Sequence, residues 1–525
     1  MKGVIAGGDA QSVAAGKEIL EQGGNATDAA IAAVFASFIA ESVMTNICGG
    51  GIAIVGDITQ DKAKVYDFFV DMPSGKPHPE MDFHEVHSDY GPAQDSLYIG
   101  RASAAVPGIV AGLSALAEEH GTMPLKKLLE PAIRMARKGV KLSPPQEYVL
   151  DFLTPIYEDT PEINKMYKKR DGSTWRAGEK NAFPKLAKNL AQLADEGERV
   201  FSLGALAQAI VRDQADHGGL ITAEDLANYQ VRKLDPIRIS YRDAELLFPA
   251  MPSTGGALIA FSLKLLESVD LTHKEHLGVD HIRVLAETMR LTNIARPVWD
   301  AEASSSQERV ERFLNETHIR QYQRKLNAIL LEGNHPTEPV FPKSPDHTTH
   351  ISVVDAAGNF VGVTTTAGES AGFVVDGTGL CMNNMLGEAD LHPQGFHKIA
   401  PGTRLTTMMA PTILLKNGAP QMILGSGGSS RLRSAILQAV VNVVDFKMPL
   451  DKAVHNPRIH FSAGILHLEG GISEQRAQDM EALGYDVNRW ENLNMYFGGT
   501  HAVAIENGRW VAVGDSRRGG DGVVV

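Results

Sequence analysis

The stretch from Thr348 to Thr366 constrains the fold of this chain most strongly. It reads Thr-Thr-His-Ile-Ser-Val-Val-Asp, then Ala-Ala-Gly-Asn, then Phe-Val-Gly-Val-Thr-Thr-Thr. Alternating apolar and polar residues on both sides of a short turn predict a β-hairpin. Cleavage before Thr348 would free an α-amino group that can act as base for the threonine's own hydroxyl. Because β-branched residues suit any strand, the threonines alone do not decide between a nucleophile and a plain hairpin.

Composition places the chain among globular proteins. Its 525 residues, 43% of them hydrophobic, can bury the core of two or three ordinary domains or of one large layered domain. The formal net charge of −13, with no Lys/Arg-rich stretch, argues against a nucleic-acid partner. No long apolar run or secretory leader pattern is seen, so we expect no membrane span and a cytoplasmic location.

Secondary-structure patterns differ before and after Thr348. Helical spacing dominates the first part, and short alternating strands with glycine turns dominate the second. The segment 333–345, rich in proline, glycine and polar residues, is expected to move after cleavage. Helices that cover strands fit two sheets packed between helical layers, although composition leaves several α+β arrangements open. The predicted helices are 12–22, 25–41, 277–294, 311–332 and 431–446, and the predicted strands after the hairpin are 410–415, 421–424 and 502–505.

Two glycine runs are candidates for anion binding. Gly-Ser-Gly-Gly-Ser-Ser at 425–430 lies between a predicted strand and a helix, where backbone N–H groups can point at an oxyanion or equally at a phosphate. The run 49–51 is not followed by the Lys-Ser/Thr of a phosphate loop. It therefore predicts close backbone packing instead.

The hairpin sequence resembles the start of the small subunit in the γ-glutamyltransferase (γ-glutamyltranspeptidase) family of N-terminal-nucleophile hydrolases. The segments 23–30 and 121–124 resemble the large subunit, so the resemblance covers essentially the whole chain. It implies an α+β fold, a four-layer αββα sandwich. It also implies self-cleavage between His347 and Thr348, giving a helix-rich large subunit of residues 1–347 and a strand-rich small subunit of residues 348–525.

The resemblance assigns four catalytic residues. Thr348 is the self-cleavage site and the nucleophile, and Thr366 matches the second threonine that hydrogen-bonds it. The adjacent oxyanion-hole glycines of the family fall on Gly428 and Ser429, and the second position departs from glycine. A backbone N–H survives that change of side chain.

The predicted acyl pocket departs from a glutathione-cleaving member. Residues 67–73 resemble the family's Asp-Phe-Arg-Glu-x-Ala-Pro, but Phe69 stands where the arginine clamps the substrate α-carboxylate. A charge-assisted bond of that kind is worth about 1.5–3 kcal/mol. Weaker binding of γ-glutamyl substrates is therefore expected.

Other positions of the substrate site are partly retained. Glu388 takes the place of the aspartate that holds the substrate ammonium, and the asparagine expected shortly after Thr366 is absent. These changes indicate a divergent branch of the family. The remaining predicted substrate-binding residues are Asn383 and Asn384 in the family's Asn-Asn segment, and Thr406 and Thr407 in place of its paired serines.

The sequence thus predicts an autoprocessing threonine hydrolase or transferase. Thr348 would take up a γ-glutamyl or similar small acyl group as an ester and pass it to water or an amine. An amidase or acylase for non-amino dicarboxylic acyl amides is the alternative; Phe69 favours it, whereas Glu388 favours the first. A silent binding protein would not need Thr348, Thr366 and the glycine turn together.

No cofactor and no metal pattern is predicted, and His347, His350 and His397 are too scattered in sequence to suggest a metal site. The expected partners are a small-molecule substrate and the two subunits of one precursor, and the oligomeric state is left open. Cys48 and Cys381 are predicted to be buried thiols. Residues 515–520 are predicted to form a solvated turn or a structural ion pair.

Overall fold

The computed structural model describes residues 1–57, 63–89, 94–333, 335–339, 347–392 and 394–525. The strands are β1 (Gly3–Gly7), β2 (Gly50–Gly56), β3 (Lys64–Phe68), β4 (His84–Asp89), β5 (Gln94–Ile99), β6 (Val140–Lys141), β7 (Lys180–Asn181), β8 (Arg232–Leu234), β9 (Ile237–Tyr241), β10 (Ala244–Phe248), β11 (Thr348–Asp355), β12 (Phe360–Thr366), β13 (Thr412–Lys416), β14 (Ala419–Gly427), β15 (Ile459–Ser462), β16 (Ile465–Leu468), β17 (Asp486–Arg489), β18 (Gly499–Glu506), β19 (Arg509–Val513) and β20 (Asp521–Val524).

The helices before the hairpin are α1 (Ala10–Glu21), α2 (Ala26–Ala40), α3 (Ile109–His120), α4 (Leu125–Lys138), α5 (Pro144–Phe152), α6 (Thr154–Tyr157), α7 (Pro161–Tyr167), α8 (Pro184–Glu196), α9 (Arg199–Ser202), α10 (Ala205–Asp216), α11 (Ala223–Asn228), α12 (Thr254–Leu266), α13 (Val279–Asp300), α14 (Ser306–Leu314) and α15 (Glu316–Glu332). After it come α16 (Arg431–Val444), α17 (Leu450–His455) and α18 (Glu474–Ala482). Short 3₁₀ turns lie at Met385–Gly387 and Ala389–Leu391, among other places.

Two large antiparallel sheets form the centre of the molecule. The first has the strand order β20-β1-β11-β12-β2-β3-β8, and the second has the order β19-β18-β14-β13-β10-β9. Each sheet contains strands from both sides of Thr348. The predicted hairpin is β11–β12, and it occupies the middle of the first sheet, where both strands are fully buried.

Three hydrophobic cores separate the layers. One lies between the two sheets and includes Val4, Ile54, Ile413 and Ile423. A second joins the outer face of the first sheet to α1–α4, and a third joins the outer face of the second sheet to α12, α13, α15 and α16. This is a four-layer αββα sandwich. The α+β fold predicted from the sequence is confirmed.

Local sequence signals explain how α2 enters the core. Asn25 accepts a hydrogen bond from the backbone N–H of Asp28, and the Asp28 side chain accepts one from the backbone N–H of Asn25, which forms a capping box. Every residue of α2 is buried, because its alanine-rich surface packs against β11, α1 and α4. The helix therefore lies directly beneath the hairpin and ends below its threonines.

Sequence predictions of the other elements match to within about three residues, with two exceptions. The helix predicted at 277–294 continues to Asp300 in α13, and 311–332 is divided between α14 and α15. Most of the proline-rich segment 333–345 lies outside the described residues. No helix in the described ranges is long and apolar enough to span a membrane. Cys48 and Cys381 are free and buried, and burial raises the pKa of both thiols.

Candidate active site

The register of the hairpin places the two predicted catalytic threonines opposite each other. Thr348 at the start of β11 pairs with Thr366 at the end of β12, and both are buried. Side chains alternate along a strand, and Val354 lies in the core between the sheets while Ile351 and Val353 lie in the helix-facing core. By this alternation Thr348 faces the space between the sheets, and Thr349 faces the helices.

The hydroxyl of Thr366 contacts the peptide bond that precedes Thr348. Its Oγ1 donates a hydrogen bond of 2.6 Å to the carbonyl oxygen of His347, and it accepts one of 3.1 Å from the backbone N–H of Gly368. A Cβ at Gly49 would overlap the carbonyl oxygen of Thr366. The predicted close packing of the first glycine run is thus confirmed, since glycine there lets another segment approach Thr366.

The second glycine run reaches the same point from the other sheet. A Cβ at Gly427 would overlap the carbonyl oxygen of Thr348, so the end of β14 touches the backbone of β11. Gly428 has a φ of 116° and Ser429 has a φ of 49°, and both therefore lie in the left-handed region that favours glycine. The turn retains glycine-like geometry at Ser429, which agrees with the family pattern at this position.

Arg518 also contacts Thr348, and the sequence analysis assigned it no role at the site. Its Nη1 donates to the carbonyl oxygen of Thr348 at 3.3 Å, and its side chain is 3% exposed. The preceding Arg517 forms buried ion pairs with Glu469 and Asp515. Of the two alternatives for residues 515–520, the structural ion pair is therefore correct and the solvated turn is wrong.

A buried acid, Glu41, lies beneath the nucleophile strand. Its carboxylate accepts a hydrogen bond of 2.9 Å from Ser12 Oγ, and a Cβ at Gly8 would overlap both this carboxylate and the hydroxyl of Thr349. Burial raises the pKa of Glu41 to about 8, and the nearby Asp9 carboxylate acts in the same direction. The hydrogen bond from Ser12, the nearby hydroxyl of Thr349 and the charge of Arg518 oppose this rise only in part.

The position predicted to lack the carboxylate clamp is filled by a buried aromatic ring. Phe69 is 1% exposed and belongs to the core between the sheets, together with Met385, Leu405 and Met409. Its backbone is fixed by a 3.0 Å hydrogen bond from its N–H to the Asp67 carboxylate. An apolar wall therefore stands where the family has its arginine.

The guanidinium of Arg404 is paired with carboxylates of the segment that carries Phe69. It pairs with Asp67 at 2.7 Å and with Asp71 at 2.6 Å, and it also donates to the backbone carbonyls of Asp67 and Gln230. Burial alone would lower the pKa of Arg404, but Tyr229 and these two carboxylates raise it above its usual range. Arg404 stabilises the segment 67–71. It cannot bind a substrate carboxylate in place of the missing arginine without breaking these ion pairs.

The side-chain amide of Asn383, predicted to contact substrate, is bound to backbone groups around it. Its Nδ2 donates to the carbonyl oxygens of Cys48 at 2.8 Å and Ala105 at 2.9 Å, and its Oδ1 accepts from the N–H groups of Ala105 and Met385. These bonds use both donors and both acceptor positions of the amide. The neighbouring Asn384 accepts a 2.8 Å bond from the N–H of Glu369, and its Nδ2 has no hydrogen-bond partner within the described ranges.

The other predicted substrate residues lie around the end of β12. Glu388 is buried. A Cβ at Gly368 would lie 2.8 Å from its Oε1, so this carboxylate lies beside Gly368, the second residue after Thr366. Thr407 is buried and its Oγ1 accepts from the N–H of Met409 at 3.1 Å, whereas Thr406 is exposed. The two threonine hydroxyls are therefore not equivalent as carboxylate donors.

Within the described residues, one group of metal-type ligands occurs outside this site. Ligand atoms of Asp213, His217 and Asp376 lie within 4.8 Å of one another. Arg101 Nε, however, is 3.5 Å from the Asp213 carboxylate and already supplies a positive charge there. We assign no metal to this group.

Comparison with known proteins agrees with this geometry. A sequence profile of the Gamma-glutamyltranspeptidase family matches residues 12–525. The chain belongs to the γ-glutamyltranspeptidase family. It is 33% identical to the Acylase ACY 1 proenzyme of Pseudomonas sp. (strain V22), over 96% of this chain and 90% of that protein. It is 27% identical to the Glutathione hydrolase proenzyme of Escherichia coli (strain K12), over 96% and 88%.

A solved structure supports the fold alone. The cephalosporin acylase from Bacillus halodurans superposes with a TM-score of 0.83 at 24% identity, covering 99% of this chain and 95% of that one. Membership of the γ-glutamyltranspeptidase family makes the protein an enzyme, an autoprocessing N-terminal-nucleophile hydrolase or transferase that acts on acyl amides. The enzyme class predicted from the sequence is confirmed.

Proposed function

We propose that Thr348 cuts the bond that precedes it and then serves as the nucleophile toward small acyl amides. Cleavage would divide the chain into a large subunit of residues 1–347 and a small subunit of residues 348–525. The observation that carries this proposal is the 2.6 Å hydrogen bond from Thr366 Oγ1 to the carbonyl oxygen of His347. A donor on that oxygen stabilises the negative charge that develops when a hydroxyl attacks the carbonyl carbon.

Self-cleavage follows from chemistry at this bond. The Thr348 hydroxyl oxygen attacks the carbonyl carbon of His347, the C–N bond breaks, and the hydroxyl proton ends on the Thr348 nitrogen. Water then hydrolyses the resulting ester, which gives a carboxylate on His347 and restores the hydroxyl of Thr348. The names of both relatives above include the word proenzyme, which supports a cleaved mature form here.

Turnover would use the same atoms. The freed amine of Thr348 accepts the hydroxyl proton, as the base that an N-terminal threonine requires. The N–H groups of Gly428 and Ser429 are the assigned donors to the oxyanion, since the turn around them contacts the backbone of Thr348. The acyl group then passes from the Thr348 ester to water or to an amine.

The experiment is an intact-mass measurement with N-terminal sequencing of freshly purified protein. Two pieces of 347 and 178 residues are expected, and the smaller should begin at Thr348. A single uncut chain that still hydrolyses acyl amides would contradict the proposal, because Thr348 would then lack its amine.

Two acyl classes are candidates. Glu388 favours a γ-glutamyl group, because its buried carboxylate lies beside Gly368, the second residue after Thr366, and can pair with an ammonium. Phe69 favours an acylase for non-amino dicarboxylic acyl groups, because an apolar side chain takes the place of the arginine that clamps the α-carboxylate of a γ-glutamyl group, and Arg404 is already paired. The Acylase ACY 1 relative at 33% identity supports the second class.

A matched set of anilides distinguishes these classes. γ-Glutamyl, glutaryl and butyryl anilides share the scissile bond and differ only in the charged groups at the far end. The first class predicts the highest kcat/KM for the γ-glutamyl compound, and the second predicts a higher value for glutaryl. Equal values for all three would contradict both assignments, since no charged group would then be recognised.

A further inference from the structure

The residue before the scissile bond has a binding place of its own. The His347 side chain is buried, its ring centroid lies 5.2 Å from that of Phe152 at an interplanar angle of 75°, and its Nδ1 lies 3.5 Å from Glu369 Oε1. Phe152 ends α5, whereas Glu369 follows β12. Two segments far apart in sequence therefore hold this one side chain.

The loop that carries Glu369 is bent inward. Gly368 has a φ of 65° and Ser370 has a φ of 83°, so a residue other than glycine adopts the left-handed region beside the acid. The N–H of Glu369 donates to Asn384 Oδ1 at 2.8 Å, which fixes the bend. The Glu369 side chain is fully buried, and a buried carboxylate is costly unless it is paired. Backbone strain at Ser370 directly beside the buried Glu369 is typical of a functional position.

Both the side chain and the carbonyl group of His347 are therefore held in place. Its side chain meets Glu369 and Phe152, while its carbonyl oxygen accepts the hydrogen bond from Thr366. Attack by a neighbouring hydroxyl is fast only when the carbonyl carbon is held in one orientation. A side chain anchored on one side and a carbonyl anchored on the other supply that restraint.

We propose that Glu369 and Phe152 form a docking site for the His347 side chain that positions the scissile carbonyl for self-cleavage. This inference rests on the proposed cleavage by Thr348. Glu369 is a positioning residue in it, because it acts on the reacting bond through His347.

Cleavage itself would weaken the docking. The new C-terminal carboxylate adds a negative charge to His347, whose ring lies 3.5 Å from the buried Glu369 carboxylate, and like charges in a poorly solvated place repel strongly. The large-subunit terminus would therefore leave once the bond is cut. The docking site would act once per molecule, during maturation.

A double-mutant cycle tests the docking site. Conversion of precursor to the two pieces is timed for wild type, Glu369→Gln, His347→Ala and the double variant. Each single variant should convert at least about tenfold more slowly, and the double variant should be no slower than the singles, since both remove the same contact. Tenfold slowing by Glu369→Gln in both backgrounds would overturn the proposal, because Glu369 would then act without His347.

Glu388→Gln is the matched control. It neutralises a second buried acid of the same region, and its effect on conversion should be the same with histidine or alanine at position 347. A coupling as large as that of Glu369 would overturn the assignment of the contact to Glu369. If Glu369→Gln does not yield folded protein, Phe152→Ala takes its place in the same cycle and is expected to couple to His347→Ala.

The two levels of inference are distinguishable. Wild-type protein that is cut before Thr348 but shows no coupling between positions 347 and 369 overturns only the docking site. A precursor that is never cut there, or a Thr348→Ala variant that is cut equally well, overturns both.

Discussion

The two sides of Thr348 are built differently. On the cleavage side the close contacts involve the backbone: Thr366 reaches the carbonyl of His347, and Gly49 and Gly427 admit neighbouring chain segments. On the proposed acyl side the contacts would be made by side chains from three separate segments, including the buried Phe69, Glu388 and Thr407. Backbone contacts survive substitution, whereas side-chain surfaces change with it. The same cleavage residues can therefore act on several acyl groups.

Removal of the nucleophile has the largest expected effect on the cleavage side. Thr348→Ala should remain a single chain and lose acyl-amide turnover by about 10⁶-fold, the size seen when the nucleophile of a hydrolase is removed. Electrophoresis under denaturing conditions and an anilide assay measure the two effects.

Thr348→Ser is the matched control, because it keeps the hydroxyl. It should still be cut before residue 348, at a lower rate. Complete cleavage of the alanine variant would show that an external protease acts at this bond, and the contrast between the two sides would lose its basis.

Loss of the donor to the scissile carbonyl comes next in size. Thr366→Val keeps the shape of the side chain and removes the hydroxyl, so conversion of the precursor should slow by about 10²–10³-fold, as for a lost oxyanion donor. Timed electrophoresis of freshly synthesised protein gives the rate.

Thr365→Val offers the control on the same strand. Its hydroxyl faces the helices and lies 3.2 Å from that of Thr45. Conversion close to the wild-type rate is expected. Equal slowing in both variants would mean that any loss of a hydroxyl in β12 disturbs the hairpin, and Thr366 would lose its special role.

The acyl side should respond in specificity and not in maturation. Phe69→Arg places a guanidinium at the clamp position, so a γ-glutamyl anilide should bind more tightly by at most about 1.5–3 kcal/mol, the worth of a charge-assisted bond, and its KM should fall accordingly. The gain will be reduced because the new group enters an apolar core and needs full pairing. Initial rates over a range of anilide concentrations measure KM.

Glu388→Gln sharpens the same test. It should raise KM for γ-glutamyl anilides and leave glutaryl anilides nearly unaffected, because only the former carry an ammonium. Tight binding of γ-glutamyl anilides by the wild type would contradict the role given to Phe69. Equal weakening of γ-glutamyl and glutaryl binding by Glu388→Gln would contradict the role given to Glu388.

The last effect is on stability and concerns Glu41, the acid beneath the hairpin. Since the folded pKa of Glu41 is about 8 and the ordinary value is 4.5, the folded chain retains a proton that the unfolded chain releases. The free energy of unfolding should therefore fall by about 1.4 kcal/mol per pH unit between these two values from this group alone. Glu41→Gln should remove that part of the slope.

Denaturant titrations at about pH 5.5, 6.5 and 7.5 measure how the free energy of unfolding changes with pH. They compare the uncut Thr348→Ala protein with and without Glu41→Gln. Glu21→Gln is the control, because Glu21 is an exposed glutamate at the end of α1. It should leave the slope unchanged. An unchanged slope in Glu41→Gln would mean that Glu41 is ionised in the folded protein.

Much of the cleavage side is readable in the sequence. Alternation predicts the hairpin from Thr348 to Thr366, and its register alone brings the two threonines together. The glycine turn at 425–430 is likewise a local signal, because a strand followed by glycines and a helix fixes where backbone N–H groups point. Even the departure at Ser429 leaves its φ in the glycine-like region.

The tertiary structure decided what the side chains do. The sequence grouped Asn383 with the substrate residues, but four backbone bonds from separate segments consume its amide. The contacts of Arg518, Glu41 and Glu369 likewise join residues that are distant in sequence. Sequence periodicity reports the direction of a side chain along its own strand or helix. Burial and pairing depend on segments brought from elsewhere, so only the packed layers determine them.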